Sequence, residues 1–231
     1  MFDDLWVIIL AAGQSRRFLE EGYRLPKPLI RLRSKDGAEC SMLSHVEDSL
    51  PVGFKNVVAV LNQNVFSPKD FVGQKFFIKE TQGQADTAHQ AMKAINEDQK
   101  VLLLDCDMIL DAVDLLAIAS SLNFYDVSVA VTETFDPNAS RVDQVPYPSM
   151  FAEKEPISQW GIVSARGFKS SKGLEAVLNH ALGKGGMDIS LSNALNYYHG
   201  SKYAHVIKNY ADLGTPQRIE QSGWKILDKK S

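Results

Sequence analysis

The residues with the clearest chemical potential follow a short apolar run near the N-terminus. The chain reads L-A-A-G-Q-S-R-R-F over residues 10–18 and L-P-K-P-L over residues 25–29. Small residues at a strand end let the backbone approach a ligand closely, and amide groups of such a turn can point at phosphate oxygens. Arg17 and Lys27 add positive charge. The pattern predicts a polyphosphate site, because charge must be neutralised before an anion can attack the α-phosphorus. A basic loop without catalysis is the alternative.

Two acidic segments lie far from this loop in sequence. Residues 103–108 read L-L-D-C-D-M and residues 210–216 read Y-A-D-L-G-T-P. Carboxylates at strand ends commonly present a hard cation such as Mg²⁺ to phosphate oxygens. Only one acid of the first pair need reach a metal, and the pair could instead cap the following helix. In the second segment, Thr215 and Pro216 also suit the start of a helix, and both interpretations can hold together.

These segments resemble the signature of the nucleoside triphosphate transferases that make nucleotide sugars and related activated alcohols. The resemblance implies that Arg17 contacts the triphosphate and that Lys27 contacts the α-phosphate or the incoming phosphate. The sequence departs from many sugar-specific members, which have Gly-Thr at the positions of Ser15 and Arg16. The residues implied to wrap the nucleotide are Leu10, Ala11, Ala12, Gly13, Gln14 and Ser15.

The same resemblance assigns the two acidic segments. Asp107 matches the Mg²⁺ ligand of the family, and Asp212 matches the acid of its D-I-G-T-P segment, which completes the metal site from across the cleft. Asp105 is then left to bind the nucleotide at its ribose, or to hold a loop or water.

Two further segments are similar to the base-reading and acceptor-lining parts of that family. Residues 80–88, E-T-Q-G-Q-A-D-T-A, imply that Gln82 and Gly83 meet the nucleobase, although Asp86 or Thr87 could be a plain helix cap. Residues 151–156, F-A-E-K-E-P, and the later G-I-V imply an acceptor site, with a surface charge cluster as the alternative. Its expected members are Glu153, Lys154 and Gly161, with Arg166 a further candidate for the acceptor phosphate.

The elements that must position these residues alternate between strands and helices. Short apolar runs at 5–10, 57–61, 76–78, 101–104 and 127–131 predict strands buried on both faces. Apolar residues at helical spacing predict helices around 88–95 and 113–122. Alternation of this kind indicates an α/β fold with a Rossmann-like, mostly parallel sheet flanked by helices, in which ligands bind beyond the carboxyl ends of the strands.

The second half of the chain is less regular. Residues 135–149 contain three prolines and predict an irregular excursion, followed by strands at 151–154, 161–164 and 204–207. Helices are predicted at 174–182, 189–198 and 216–227. We expect one domain over residues 1–231, with a nucleotide-binding part at about 1–132 and an acceptor-binding part at about 133–231.

Composition limits the remaining classes. The 231 residues carry a net charge of −3, which argues against a nucleic-acid coat, yet residues 14–35 carry seven Lys or Arg against two Glu. The first apolar run is too short for a membrane span and lacks a basic leader, so we expect neither a signal peptide nor a membrane partner. The two cysteines, Cys40 and Cys106, suit a cytoplasmic protein. The five histidines show no ligand spacing.

The sequence therefore predicts a Mg²⁺-dependent nucleotidylyltransferase that couples a nucleoside triphosphate to a sugar 1-phosphate and releases pyrophosphate. A CTP-dependent enzyme acting on a small phosphorylated alcohol such as phosphocholine is the second hypothesis. The Asp105 to Asp107 triplet also suits a glycosyltransferase of the D-x-D type, but such an enzyme has no evident use for Arg17 and Lys27. An inactive nucleotide-binding module is a further alternative, although it has little use for Lys27, Asp107 and Asp212 together.

Overall fold

A computed structural model describes residues 2–65, 69–185 and 189–228. It shows a nine-stranded sheet with helices packed on it, and two small sheets at one side. The expected α/β class with a mostly parallel central sheet is confirmed. No helix within the described ranges combines the length and apolarity needed to cross a membrane.

The strands and helices alternate along the chain as predicted for the first half. The strands are β1 (Leu5–Ala11), β2 (Arg31–Arg33), β3 (Glu39–Ser41), β4 (Asn56–Asn62), β5 (Gln74–Ile78), β6 (Lys100–Asp105), β7 (Met108–Leu110), β8 (Val127–Glu133), β9 (Ser140–Val142), β10 (Phe151–Glu153), β11 (Trp160–Phe168), β12 (Lys202–Val206), β13 (Tyr210–Asp212) and β14 (Lys225–Ile226). The helices are α1 (Arg16–Glu20), α2 (Met42–Asp48), α3 (Gln84–Met92), α4 (Ala112–Ser121), α5 (Ser171–Gly185), α6 (Leu191–Ala194) and α7 (Pro216–Gln221).

The parallel part of the main sheet positions the candidate residues. Its strand order is β5-β4-β1-β6, and all three pairings are parallel. Leu10 near the end of β1 lies opposite Asp105 at the end of β6. Because parallel strands present their carboxyl ends at one edge, the loops after β1, β5 and β6 meet there.

The second half of the chain adds antiparallel strands. β11 pairs antiparallel with β6, β8 and β9, and its register against β8 shifts between Ile162 and Arg166, as at a β-bulge. β11 also pairs with β9 at Gly161 and with β6 from Arg166 to Phe168. The excursion at 135–149 is less irregular than predicted, because it contains β9, which pairs with β10. β9, β10 and β11 together form an antiparallel lobe, and this lobe carries the residues predicted to bind the acceptor.

Two of the predicted helices are shorter in the structure. The segment 189–198 forms only α6 and a 3₁₀ turn at Leu195–Tyr197. The prediction of a helix over 216–227 is wrong beyond Gln221. Gly223 follows with φ of 73°, the left-handed conformation that ends many helices, and β14 then pairs with β2.

A small apolar cluster holds the N-terminal signature against the C-terminal segment. Phe18 is adjacent in sequence to Arg17, and Leu213 is adjacent to Asp212, and both apolar side chains are fully buried. Burial of such side chains contributes roughly 1.5–3 kcal/mol each. The buried members are Phe18, Tyr23, Ile30, Leu32, Met42, Leu213 and Ile219. This packing fixes two distant parts of the chain at the same end of the sheet.

We expect Thr215→Ala to lower the free energy of unfolding by about 1 kcal/mol. The Thr215 hydroxyl accepts a hydrogen bond from the Arg218 backbone N at 3.2 Å, which satisfies one free amide at the start of α7. Urea denaturation measures the difference. Thr215→Ser keeps the accepting oxygen and should lose far less, and equal losses in the two variants would contradict a capping role.

Candidate active site

The turn after β1 is tied to the segment that carries Lys27. Ser15 has a φ of 55°, and its hydroxyl accepts a hydrogen bond from the Lys27 backbone N at 2.7 Å. The hydroxyl therefore does not cap α1, which begins at the next residue. Ser15, one of the two positions where the sequence departs from many sugar-specific enzymes, joins the two halves of the N-terminal signature.

Lys27 and Asp107 form an ion pair at the end of the sheet. Lys27 Nζ lies 2.8 Å from Asp107 Oδ2, and each side chain keeps about a fifth of its surface exposed (23% and 20%). Burial alone would lower the pKa of Lys27, but the Asp107 carboxylate outweighs it and the pKa is raised. Burial would likewise raise the pKa of Asp107, yet Lys27 brings it below its usual value. Both groups therefore stay charged at neutral pH.

Asp105 has different partners from Asp107. Its carboxylate accepts hydrogen bonds from Gln84 Nε2 and, at 3.3 Å, from Arg166 Nη1. Burial raises the pKa of Asp105, although Arg166 opposes the change. Arg166 is itself buried (4% exposed), so its guanidinium group contacts Asp105 and does not extend into solvent, where it would have to meet an acceptor phosphate.

Asp212 reaches the same place from the C-terminal segment. β13 pairs antiparallel with β7, opposing Asp212 to Met108, and Leu213 N donates to Asp107 O at 2.7 Å. A Cβ added to Gly214 would lie 3.0 Å from Asp212 Oδ1 and 3.1 Å from Asp107 Oδ2. Both carboxylates thus border one small volume, which provides the all-oxygen donor set that Mg²⁺ prefers.

Gly214→Ala should lower turnover by less than tenfold while leaving the fold intact. The added methyl group is close enough to both carboxylates that one of them must move by a few tenths of an ångström, and small misplacements at a reacting centre reduce rate. Steady-state assays measure the effect. Gly183→Ala on α5 is the matched control, because nothing lies within 4 Å of its added Cβ. Equal activity in the two variants would show that the spacing of the acids does not matter.

These residues line a cleft of about 1020 Å³ beyond the carboxyl ends of the strands. It brings together the two predicted catalytic cations, the predicted metal ligand Asp107 and all nine residues predicted to bind nucleotide. The second predicted metal ligand, Asp212, does not line the cleft itself but lies beside Gly214, which does. The predicted residues lining the cleft are Leu10, Ala11, Ala12, Gly13, Gln14, Ser15, Arg17, Lys27, Gln82, Gly83, Asp105 and Asp107. Within the described ranges, Arg17 has no hydrogen-bond or ion-pair partner and is exposed.

The loop before α3 forms one wall of the cleft. Gly83 has a φ of 129°, a conformation that favours glycine, and so brings the backbone to the cleft without a side chain. Gln82 N donates to Asp86 Oδ2 at 2.9 Å. Thr87 Oγ1 donates to Gly83 O at 3.0 Å. The N-cap of α3 is Gly83, so neither Asp86 nor Thr87 is the cap that the alternative expected, although both side chains bond to backbone groups there. Gln82 and Gly83 line the cleft.

Several cleft residues were not singled out from the sequence. Glu80 accepts a hydrogen bond from Gln14 Nε2, and Gln14 Oε1 in turn accepts one from Arg16 Nε at 2.8 Å. This chain of side chains crosses between the first loop and the loop after β5. Gln84 lines the cleft through its bond to Asp105. Neither Glu80 nor Gln84 has a spacing that would have revealed its partner.

The three residues predicted to bind the acceptor lie outside the residues that line the cleft. Glu153 on β10 accepts a hydrogen bond from Ser140 Oγ, and Lys154 follows with a φ of 57°. Gly161 on β11 packs so closely against Thr134 that an added Cβ would overlap its methyl group. They share the β9–β10–β11 lobe, so the structure brings them together with each other and not with Lys27.

Comparison with known proteins agrees with this geometry. Residues 7–141 match the model of the MobA-like NTP transferase domain. No curated protein matches the sequence significantly. Three solved structures have a similar fold at low sequence identity. The nucleoside-diphosphate-sugar pyrophosphorylase from Vibrio cholerae RC9 has a TM-score of 0.73 and 15% identity, and the match covers 93% of this chain and 98% of that one. The inositol-1-phosphate CTP transferase from T. maritima has a TM-score of 0.73, 16% identity and coverage of 94% and 92%, and the UDP-glucose pyrophosphorylase from Acinetobacter baumanii has 0.72, 13% and coverage of 94% and 91%.

Fold and family match together define a nucleotidyltransferase. The matched segment covers more than half of the sequence and includes the loop after β1, Lys27 and both acids at the end of β6. The chain belongs to the MobA-like NTP transferase domain family.

Proposed function

We propose that this enzyme joins a nucleoside triphosphate to a sugar 1-phosphate and releases pyrophosphate, using Mg²⁺. One observation carries the proposal: Lys27, Asp107 and Asp212 converge beside Gly214 at the mouth of a cleft of nucleotide size. A protein that binds nucleotides without catalysing a reaction has no need for a cation and two acids at one point.

The proposed reaction needs positioning and charge neutralisation more than a general base. An oxygen of the acceptor phosphate, already ionised at neutral pH, attacks the α-phosphorus in line. The bond from the α-phosphorus to the bridging oxygen breaks, and pyrophosphate leaves with that electron pair. Mg²⁺ held by Asp107 and Asp212 would supply charge neutralisation at the phosphates.

The cations of this chain have separate tasks in that reaction. An ammonium group has three donors, and Asp107 occupies one at Lys27, so two can bind phosphate oxygens. Arg17, exposed at the cleft, would bind the leaving pyrophosphate. The amides of residues 10–15 and the loop at Gln82 and Gly83 would hold the nucleotide. In this proposal the chain forms one domain, in which residues at about 1–132 bind the nucleotide and residues at about 133–231 bind the acceptor.

A phosphorylated alcohol is the second candidate acceptor, with CTP as donor. The inositol-1-phosphate CTP transferase from T. maritima has the same TM-score, 0.73, as the sugar pyrophosphorylase from Vibrio cholerae.

The two unpaired cysteines in the described ranges suit a reducing compartment, and we propose that the enzyme acts in the cytoplasm.

A pyrophosphate-release screen tests both candidates. Four nucleoside triphosphates are crossed with sugar 1-phosphates, inositol 1-phosphate and phosphocholine, with and without Mg²⁺. We expect one sugar 1-phosphate pairing to dominate and to require the metal. Dominance of an alcohol phosphate would select the second candidate. A parallel incubation with nucleotide sugars covers the glycosyltransferase alternative. Release of nucleoside diphosphate there, with no pyrophosphate in the screen, would overturn both candidates.

A further inference from the structure

A second group of metal-binding side chains lies away from the cleft. Cys40 is on β3, and His45 and Asp48 are on α2. One ligand atom from each lies within 4.8 Å of the other two. His45 and Asp48 are three residues apart and therefore share one face of the helix. This Cys-His-Asp cluster offers sulfur, nitrogen and oxygen ligands within one small region, and none of its members lines the cleft.

His45 is held in an orientation that suits a metal ligand. It is 5% exposed, and its Nε2 lies 3.2 Å from the carbonyl oxygen of Leu32. Because a carbonyl oxygen only accepts, Nε2 carries the hydrogen and the free lone pair is on Nδ1. Histidines that bind metals usually donate their other ring N–H to such a carbonyl. Trp224 packs edge-to-face on the ring with centroids 4.7 Å apart, which further fixes its position.

The thiol of Cys40 lies among negative charges. Its Sγ is 3.8 Å from Asp48 Oδ2, and Asp70 is held beside it by the backbone N and hydroxyl of Ser41. Among the described residues, no lysine or arginine forms a salt bridge with Asp48 or Asp70. A divalent cation bound at Asp48 would therefore supply a counter-charge to its carboxylate.

We propose that Cys40, His45 and Asp48 bind a thiophilic transition-metal ion, for which Zn²⁺ is the best match. Zinc lies about 2.0–2.3 Å from thiolate, imidazole and carboxylate ligands, so ligand atoms of a tetrahedral site are about 3–4 Å apart. The distance of 3.8 Å from Cys40 to Asp48 already falls in that range. Three protein ligands leave a fourth position for water or another small ligand, on the side where Asp48 is exposed.

The two metal sites should select different ions. The acids at Gly214 offer only oxygen, which suits Mg²⁺, whereas thiolate and imidazole favour Zn²⁺ or Co²⁺. Zinc at the cluster would tie β3, at the edge of the small β14-β2-β3 sheet, to the last turn of α2. The proposal does not depend on which acceptor the enzyme uses.

Cobalt absorption spectroscopy tests the site in the purified chain. We expect one Co²⁺ per chain, a thiolate-to-cobalt charge-transfer band in the near ultraviolet, and loss of that band when Zn²⁺ displaces the cobalt. Cys40→Ser should abolish the band, and Asp48→Asn should weaken Zn²⁺ affinity at least tenfold. Cys106→Ser is the matched control, because it removes the only other thiol in the sequence and should keep the band.

Circular dichroism establishes that each variant is folded before its spectrum is recorded. The Cys40 side chain is only partly buried, so its serine variant should fold even where a His45 variant does not. Absence of the band in the wild-type chain overturns the proposal, as does its survival in Cys40→Ser. A band that disappears in Asp107→Asn would place the metal in the cleft and also overturn it.

Discussion

Lys27→Ala should lower kcat/KM by about 10²- to 10³-fold without unfolding the protein. Removal of one preorganised donor to a developing anionic charge has an effect of that size in other enzymes. The Lys27 side chain contributes one ion pair at the surface of the cleft, and its backbone N remains bonded to Ser15 in the variant. Steady-state kinetics with the best substrates from the pyrophosphate screen measure the loss.

The pH profile of that variant separates a chemical role from a structural one. Without Lys27, burial raises the pKa of Asp107 because the main cation that lowered it is gone, although Arg17 still opposes the change. The acid limb of the kcat/KM profile should therefore move to higher pH in Lys27→Ala. Lys93→Ala, at an exposed position after α3, should leave both rate and profile unchanged. A Lys27→Ala enzyme with wild-type kcat/KM would remove this residue from the mechanism.

The central strands of the parallel part could be predicted from the sequence because they are buried on both faces. The same prediction for the run at 76–78 is wrong, because β5 lies at the edge of the sheet and only Ile78 of it is buried. Continuous apolar runs such as 5–10 and 101–104 became β1 and β6. The short strands β2, β3 and β14 carry no comparable run, since each buries one side at most. The helix predicted over 216–227 ends at Gln221 in the structure, because Gly223 adopts the left-handed conformation that stops a helix.

The position of a residue at the cleft could be predicted where a whole motif stands at the end of a parallel strand, while the roles of these residues stay predictions. The position of the cleft follows from topology, so residues 10–15 and Asp107 could be placed without coordinates. Partners that meet only through folding could not be found in this way. Gln84 reaches Asp105, and Arg166 lies behind it, through pairings of β11 and α3 that no local spacing reveals. The assignment of the acceptor residues stays a prediction, since their lobe lies beside the residues lining the cleft.

One connection between that lobe and the candidate metal ligands joins residues that lie far apart in the sequence. Arg218 Nη1 lies 2.7 Å from Asp212 Oδ2, and Arg218 Nη2 lies 2.5 Å from Asp136 Oδ2. Arg141, 3% exposed on β9, holds the same loop by donating to the carbonyl oxygens of Thr134, Asp136 and Ser158. Through Arg218, the loop between β8 and β9 is therefore linked to Asp212.

Arg218→Gln should raise the Mg²⁺ concentration for half-maximal activity by about 10- to 100-fold. Groups that orient a metal ligand have effects of that size when removed, and glutamine cannot bridge two carboxylates with a fixed cationic fork. Asp136→Asn is the matched variant, because it weakens the contact to the loop and leaves Arg218 on Asp212; its Mg²⁺ requirement should change by less than about threefold. Activity measured across a Mg²⁺ titration separates the two. If Arg218→Gln lowers the maximal rate while its Mg²⁺ requirement stays that of the wild type, Arg218 does not position Asp212 for the metal.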